Sequence, residues 1–256
     1  MKTRFAFIKK ELLAQMRSGK VWILLALFLA FGIMNPAIAK LTPWLLDILA
    51  DSLAENGMTV TEVTVSAMDS WLQFFKNMPI ALIAFVLLEA SILTKEYSEG
   101  TLILSLTKGL ARYKVIVAKA CVLLMLFSVG YWLCFSVTYA YNDFFWDNSV
   151  AKNLMLSAVC WWLFGVCVLS FMTVFSTLCT TSSGVLIGTG ATVLASYLLG
   201  LLPRIRSLLP TCLTDGNSLI YGIKDASDYT AAIRIGAAMS IACLAVSIPI
   251  FNKKRL

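Results

Sequence analysis

Between Thr94 and Lys119 the chain places Glu96 and Glu99 beside Lys95, followed by Lys108, Arg112, Lys114 and Lys119. It is the only long polar interruption in the first half of the sequence with so dense a set of positive charges. Carboxylates and amines in that mixture suit ion pairing with a docking surface. Catalysis by the commonest routes has no residues to use. The chain contains no histidine, which removes His-dependent triads, HExxH zinc sites and His-based intramembrane proteolysis. Seven cysteines are present but none forms a CxxC pair, so neither a zinc site nor a disulfide framework has its spacing. They read as small apolar packing residues, and no metal ligands are assigned. There is no G-x-x-x-x-G-K-[ST] phosphate loop. A membrane-embedded enzyme would need polar residues clustered at one depth, and the sequence offers none.

The surroundings of this polar stretch are apolar. Of 256 residues, 59% are hydrophobic and 14% charged, with a mean hydropathy of +0.83. Soluble domains run at about 45–50% apolar and about 25% charged. Only lipid can solvate such a surplus, so the expectation is an all-α integral membrane protein. The net charge of +7 reads as topology, not as a nucleic-acid footprint, because basic residues of membrane proteins gather on the cytoplasmic side.

Residues 1–20 hold six Lys or Arg against one acid, Glu11. Phe5, Ile8, Leu12 and Met16 share a stripe at 100° per residue, which predicts an amphipathic helix lying in the interface over anionic headgroups. Six spans are expected, at 21–39, 79–93, 120–140, 154–179, 184–202 and 231–251. Asn35-Pro36 is expected to kink or end the first, and Thr42-Pro43 to start a separate exterior helix. The basic start, Val21–Met34 and Ala37-Ile38-Ala39 also resemble a signal peptide; the long amphipathic leader favours an uncleaved span. Trp71, Phe74 and Phe75 read as an outer aromatic anchor of the short second span. Glu89 lies near its inner end, either as a functional intramembrane acid or as a headgroup-level partner of Lys95 or Lys119. Leu154–Leu202 has no charged residue and must turn once, at 180–184. The following span spaces small residues at Gly184, Gly188, Thr192, Ser196 and Gly200, which allows close helix packing within one subunit or a dimer interface. Arg234 in the last span is expected to snorkel outward. With this topology fourteen of 21 Lys and Arg lie inside and ten of 14 acids outside, which supports N-in, C-in.

A proton- or sodium-coupled carrier usually needs ionisable groups near the midplane, and the spans carry almost none. If the chain moves a solute uphill, the energy comes from a partner. The loop at 94–119 suits that role: a polar helical continuation of the second span, an apolar piece at Leu102–Leu106, a break at Lys108-Gly109, and a helix from about Ala111 into the third span.

The sequence KEYSEGTL…LTKGLARYKVIVAK resembles the first cytoplasmic loop of ABC-2 type permeases. The likeness extends over essentially the whole chain, including the basic leader, six spans, WLQFFKN before the second span and the uncharged fourth–fifth pair. Lys108-Gly109 departs from the proline found there in many relatives. The resemblance implies the transmembrane half of an ATP-driven bacterial exporter in the cytoplasmic membrane. Its partners would be a soluble ATP-binding cassette subunit, which binds ATP and Mg2+, and a second permease copy or homologous permease; the chain itself would hold no cofactor. It implies that residues 3–17 are an interfacial connecting helix and that Glu96–Leu106 is a coupling helix seated on the ATPase. The coupling residues would include Glu96, Tyr97, Ser98, Glu99, Gly100, Thr101 and Leu102, with Arg112 following. The second and fifth spans would line the pathway, and the first and fifth would meet near the dimer axis. Lys119 opens the third span. A mostly apolar pathway suits an amphiphilic substrate such as a peptide, antibiotic or lipid. A non-transporting membrane scaffold or immunity protein is the alternative reading, since a docking loop and a coupling loop look alike.

Overall fold

The computed structural model describes residues 2–55, 64–100 and 111–254, which form ten α-helices and contain no strand. They are α1 (Lys2–Arg17), α2 (Lys20–Glu55), α3 (Ala67–Glu89), α4 (Thr94–Ser98), α5 (Arg112–Phe145), α6 (Leu154–Leu178), α7 (Ser182–Leu199), α8 (Pro203–Arg206), α9 (Gly216–Ile220) and α10 (Ala226–Lys253). Short 3-10 turns occupy Asn148–Val150 and Pro210–Thr214. Six helices, α2, α3, α5, α6, α7 and α10, are long and apolar enough to cross a bilayer. The protein is an all-α, multi-pass membrane protein.

Local chemistry sets several of the helix boundaries. Ser66 starts α3 with a reciprocal capping box: its hydroxyl accepts from the Met68 N–H, and the Asp69 carboxylate accepts from the Ser66 N–H at 2.8 Å. Asp225 and Asp228 repeat the device at α10, and Thr181 caps α7 through the Gly184 N–H. Each such cap contributes about 1 kcal/mol. Gly19 (φ 77°) supplies the left-handed residue that separates α1 from α2.

Helix α2 does not stop at Asn35-Pro36, and Thr42-Pro43 does not open a new helix; both prolines lie inside one continuous element. A proline leaves the carbonyl four residues earlier without its donor. For Pro36 that carbonyl is Gly32, and the Thr138 hydroxyl of α5 donates to it at 3.1 Å. Neighbouring hydroxyls make intramembrane prolines tolerable in this way. The same place carries a polar tie across three helices. Asn77 Nδ2 of α3 donates to Asn35 Oδ1 of α2 at 2.9 Å, and Asn35 Nδ2 donates to Thr138 Oγ1 at 3.2 Å.

The second spanning helix begins at Ala67 and runs through Pro79. Trp71, Phe74 and Phe75 are consequently core residues, not an interfacial anchor: all three are buried. Trp71 stacks on Phe135 at 5.2 Å, Phe74 meets Tyr131 edge-on at 6.0 Å, and the Trp71 indole donates to Asn148 Oδ1. Phe85 and Phe28 continue this aromatic column through Phe127. Helix α2 packs on α3 and α5, and α6 packs on α10. Helix α7 leans mainly on α6 and on the Pro210–Thr214 turn, and its first residue, Ser182, shares a hydrogen bond of 2.8 Å with Thr94 of α4. Of its most apolar stretch 11% is buried, against 61% for α6, which places α7 at the rim of the bundle.

Candidate functional site at the α1 end of the bundle

The polar side chains converge at the end of the bundle where α1, α4 and the start of α5 meet. Their centre is Lys119, the last residue of the polar stretch, two turns into α5 and 5% exposed in its side chain. Its ammonium donates to Glu11 Oε2 of α1 at 2.8 Å and to the Ile92 carbonyl at 2.9 Å, and pairs with Glu96 Oε1 of α4 at 3.0 Å. The Glu11 and Glu96 side chains are 6% and 20% exposed. A buried lysine is costly unless its charge and its three donors are all matched, and here they are. The triad therefore fixes the position of α4 relative to both α1 and α5.

Glu89 lies deeper and is fully buried. It pairs with neither Lys95 nor Lys119. Its Oε2 accepts from Gln15 Nε2 of α1 at 2.8 Å, while its Oε1 has no hydrogen-bond partner among the described residues. Lys119 is turned to the two other carboxylates, and Lys95 reaches Glu99 at 3.7 Å on the surface. Lys20 donates to the Leu88 carbonyl at 2.7 Å and to Ser91 Oγ at 3.0 Å, so α1 and the start of α2 are pinned to the end of α3 in three places.

Tyr97 of α4 sets its ring 6.4 Å from Phe251, with the Lys254 ammonium 4.2 Å from its centroid. Ser98 donates to the Lys95 carbonyl, and Gly100 takes a left-handed conformation (φ 66°) just after α4. Thr101, Leu102 and the remainder of the expected coupling helix to Leu106, with Lys108, lie outside the described residues. Arg112 donates to the backbone carbonyls of Phe251, Asn252 and Lys254 at 3.4, 3.3 and 2.7 Å. Burial pulls the Lys254 ammonium below the usual lysine value.

The other sequence-selected residues lie elsewhere. Arg234 is exposed on α10 and bonds the Thr230 carbonyl. Gly184 and Gly188 face their own subunit: a β-carbon at Gly188 would overlap the Phe175 ring of α6, and one at Gly184 would press on Cys179. Thr192 and Ser196 turn their hydroxyls back onto α7 carbonyls, and Gly200 approaches Thr211. At the opposite end a cleft of about 870 Å³ includes Tyr197, Arg206, Asp215 and Lys224 in its lining. Burial would raise the Asp215 carboxyl, but the Lys224 and Ser218 hydrogen bonds outweigh it and hold it below the ordinary range.

Glu11, Gln15, Lys20 and Lys254 were not among the residues selected from sequence. Glu11 had a signal, being the lone acid of the basic leader and one turn from Gln15. Lys254 had none, since it sits in a run of C-terminal bases that topology alone explains.

This is a mechanical arrangement: a surface helix is tied by charge to the ends of spanning helices. The sequence profile of the ABC-2 family transporter proteins matches residues 5–215, from α1 through the turns before α9. The chain belongs to the ABC-2 transporter family. No curated protein matches it. As an ABC-2 family member it is the membrane-spanning component of a transporter and not its catalytic part. The matched region contains Glu11, Glu89, Glu96 and Lys119, so the whole triad lies within the part shared with the family.

Proposed function

We propose that this chain is the permease subunit of an ATP-driven exporter in the cytoplasmic membrane, working as a pair of permeases with one separate ATPase on each. The α1 end faces the cytoplasm, in keeping with its excess of Lys and Arg. The ATPase binds Mg2+ and ATP and seats on α4 and the residues after it. The observation that carries this reading is the Glu11–Lys119–Glu96 triad, centred on the buried Lys119. A helix that merely docks a scaffold needs no rigid connection to the spans. A helix that transmits a push does, and Lys119 supplies one into α1 and α5 together. The chain carries no charged residue from Leu154 to Leu202, which favours an amphiphile (a hydrophobic peptide, antibiotic or lipid) over a small hydrophilic ion.

The test is a mild-detergent pulldown of the tagged chain from its native membrane. A soluble ATPase at one-to-one stoichiometry is expected. Glu99→Lys should release it, because Glu99 is half-exposed and its reversal leaves the Glu11–Lys119–Glu96 triad intact. Recovery of the chain alone, or of an ATPase indifferent to Glu99→Lys, would overturn the assignment of α4 as its seat.

A further inference from the structure

Four elements meet at Lys254. Its side-chain ammonium donates to the carbonyls of Thr177 and Cys179 at 2.8 Å each and to Leu178 at 3.4 Å. These lie at the C-terminal end of α6, where helix carbonyls lack intrahelical donors and the dipole is negative. The same ammonium lies over the face of the Tyr97 ring of α4, an arrangement that attracts a cation to the ring quadrupole. Its backbone carbonyl accepts the shortest of the three hydrogen bonds that Arg112, the first residue of α5, donates. Phe251, one turn back in α10, is buried against Tyr97.

From this junction we propose that Lys254 is a positioning residue. It clasps α4 to the end of α6, so that movement of Tyr97 reaches the fourth span as well as the second and third spans that the loop joins covalently. Arg112 holds the backbone of the clasp in place, and Lys254 supplies the moving contact. The clasp stands on geometry alone; its part in transport rests on the proposed coupling of α4 to an ATPase. It gives the fourth span, which carries the fifth on its flank, a connection to the loop that the chain order does not provide.

Hydrogen–deuterium exchange on the intact chain in lipid nanodiscs tests it without any ATPase. Lys254→Met is expected to speed exchange of the amides at Phe175–Cys179 several-fold, with exchange in the middle of α3 unchanged. Tyr97→Leu should speed the same amides, and the double variant should be no faster than the quicker single, because both remove one contact chain. Lys254→Arg should retain slow exchange. Independent, multiplying effects, or a Tyr97→Leu variant silent at α6, would overturn the clasp. If a variant loosens α3 as well, Lys254→Gln and Tyr97→Met replace it under the same criteria. In cells making the ATPase, Lys254→Met should lower transport while the ATPase still co-purifies. Unchanged transport with the ATPase bound would remove the clasp's part in transport. Loss of ATPase capture from the unmodified chain would instead remove the reading of α4 and leave the exchange result to decide the clasp.

Discussion

Lys119 shows how one buried charge can organise an end of a membrane protein. Taking a cation out of water costs several kcal/mol, recovered only when opposite charges and hydrogen bonds surround it. Two carboxylates and a carbonyl do this here. The three members are not equivalent. Lys119→Met takes the shared cation from the buried Glu11, which keeps the Lys10 ammonium at 3.6 Å, and from the partly buried Glu96, and breaking a buried pair from one side costs about 3–5 kcal/mol. Glu11→Gln or Glu96→Gln leaves a matched Lys–Glu pair and should cost distinctly less. Thermal unfolding in detergent should rank Lys119→Met as the most destabilising of the three by a wide margin. Equal shifts for all three would mean that the cluster is hydrated and the pairing weak.

At the scale of elements, α2 shows where sequence reading succeeds and where it stops. Its apolar run is legible because nothing but lipid or a core can accept it. Its end was not, because the rule that proline breaks helices assumes no substitute donor, and the donor here is Thr138, more than a hundred residues away. The aromatic cluster at Trp71 failed for a related reason: a tryptophan at the end of an apolar run has the same sequence signature in a core as at a lipid interface. The loop's charges were legible as a group, whereas their partner Glu11 depends on how α1 folds back. Thr138→Val tests the proline argument. It removes the donor to Gly32 and a partner of Asn35 while keeping the shape, and interhelical hydrogen bonds of this kind contribute about 0.6–2 kcal/mol each. The expected result is lower thermal stability with faster amide exchange around Gly32–Pro36. Pro36→Ala in the same background should restore slow exchange by returning an N–H to the helix. Persistent fast exchange in that double variant would mean that the Asn35–Asn77 tie, not the proline, sets the local stability.

For the whole molecule, the rim helix α7 decides what kind of assembly the chain can enter. The regular small-residue stripe from Gly184 to Gly200 allows, from its spacing alone, either packing within one subunit or a subunit contact. Its first two members pack within the subunit, where Phe175 of α6 fills the space over Gly188 and Cys179 lies against Gly184. The face left open is a different one. A β-carbon at Gly190 would meet nothing within 4 Å, and Ile187, Leu194 and Leu198 on the same helix are 71%, 60% and 59% exposed. Lipid alone would cover such a face adequately, but lipid does not require a glycine there, since glycine costs about 1 kcal/mol relative to alanine inside a helix. Close approach of a second helix does reward it. If the permease works as a pair meeting along α7, Gly190→Cys in an otherwise cysteine-free chain should cross-link into dimers with a short bismaleimide in native membranes. Gly188→Cys should not, because its side chain would point at Phe175 of its own subunit. Cross-linking at Gly188 but not Gly190 would place the partner on the other side of α7. Cross-linking at neither would assign this face to lipid and require the second permease to meet another helix.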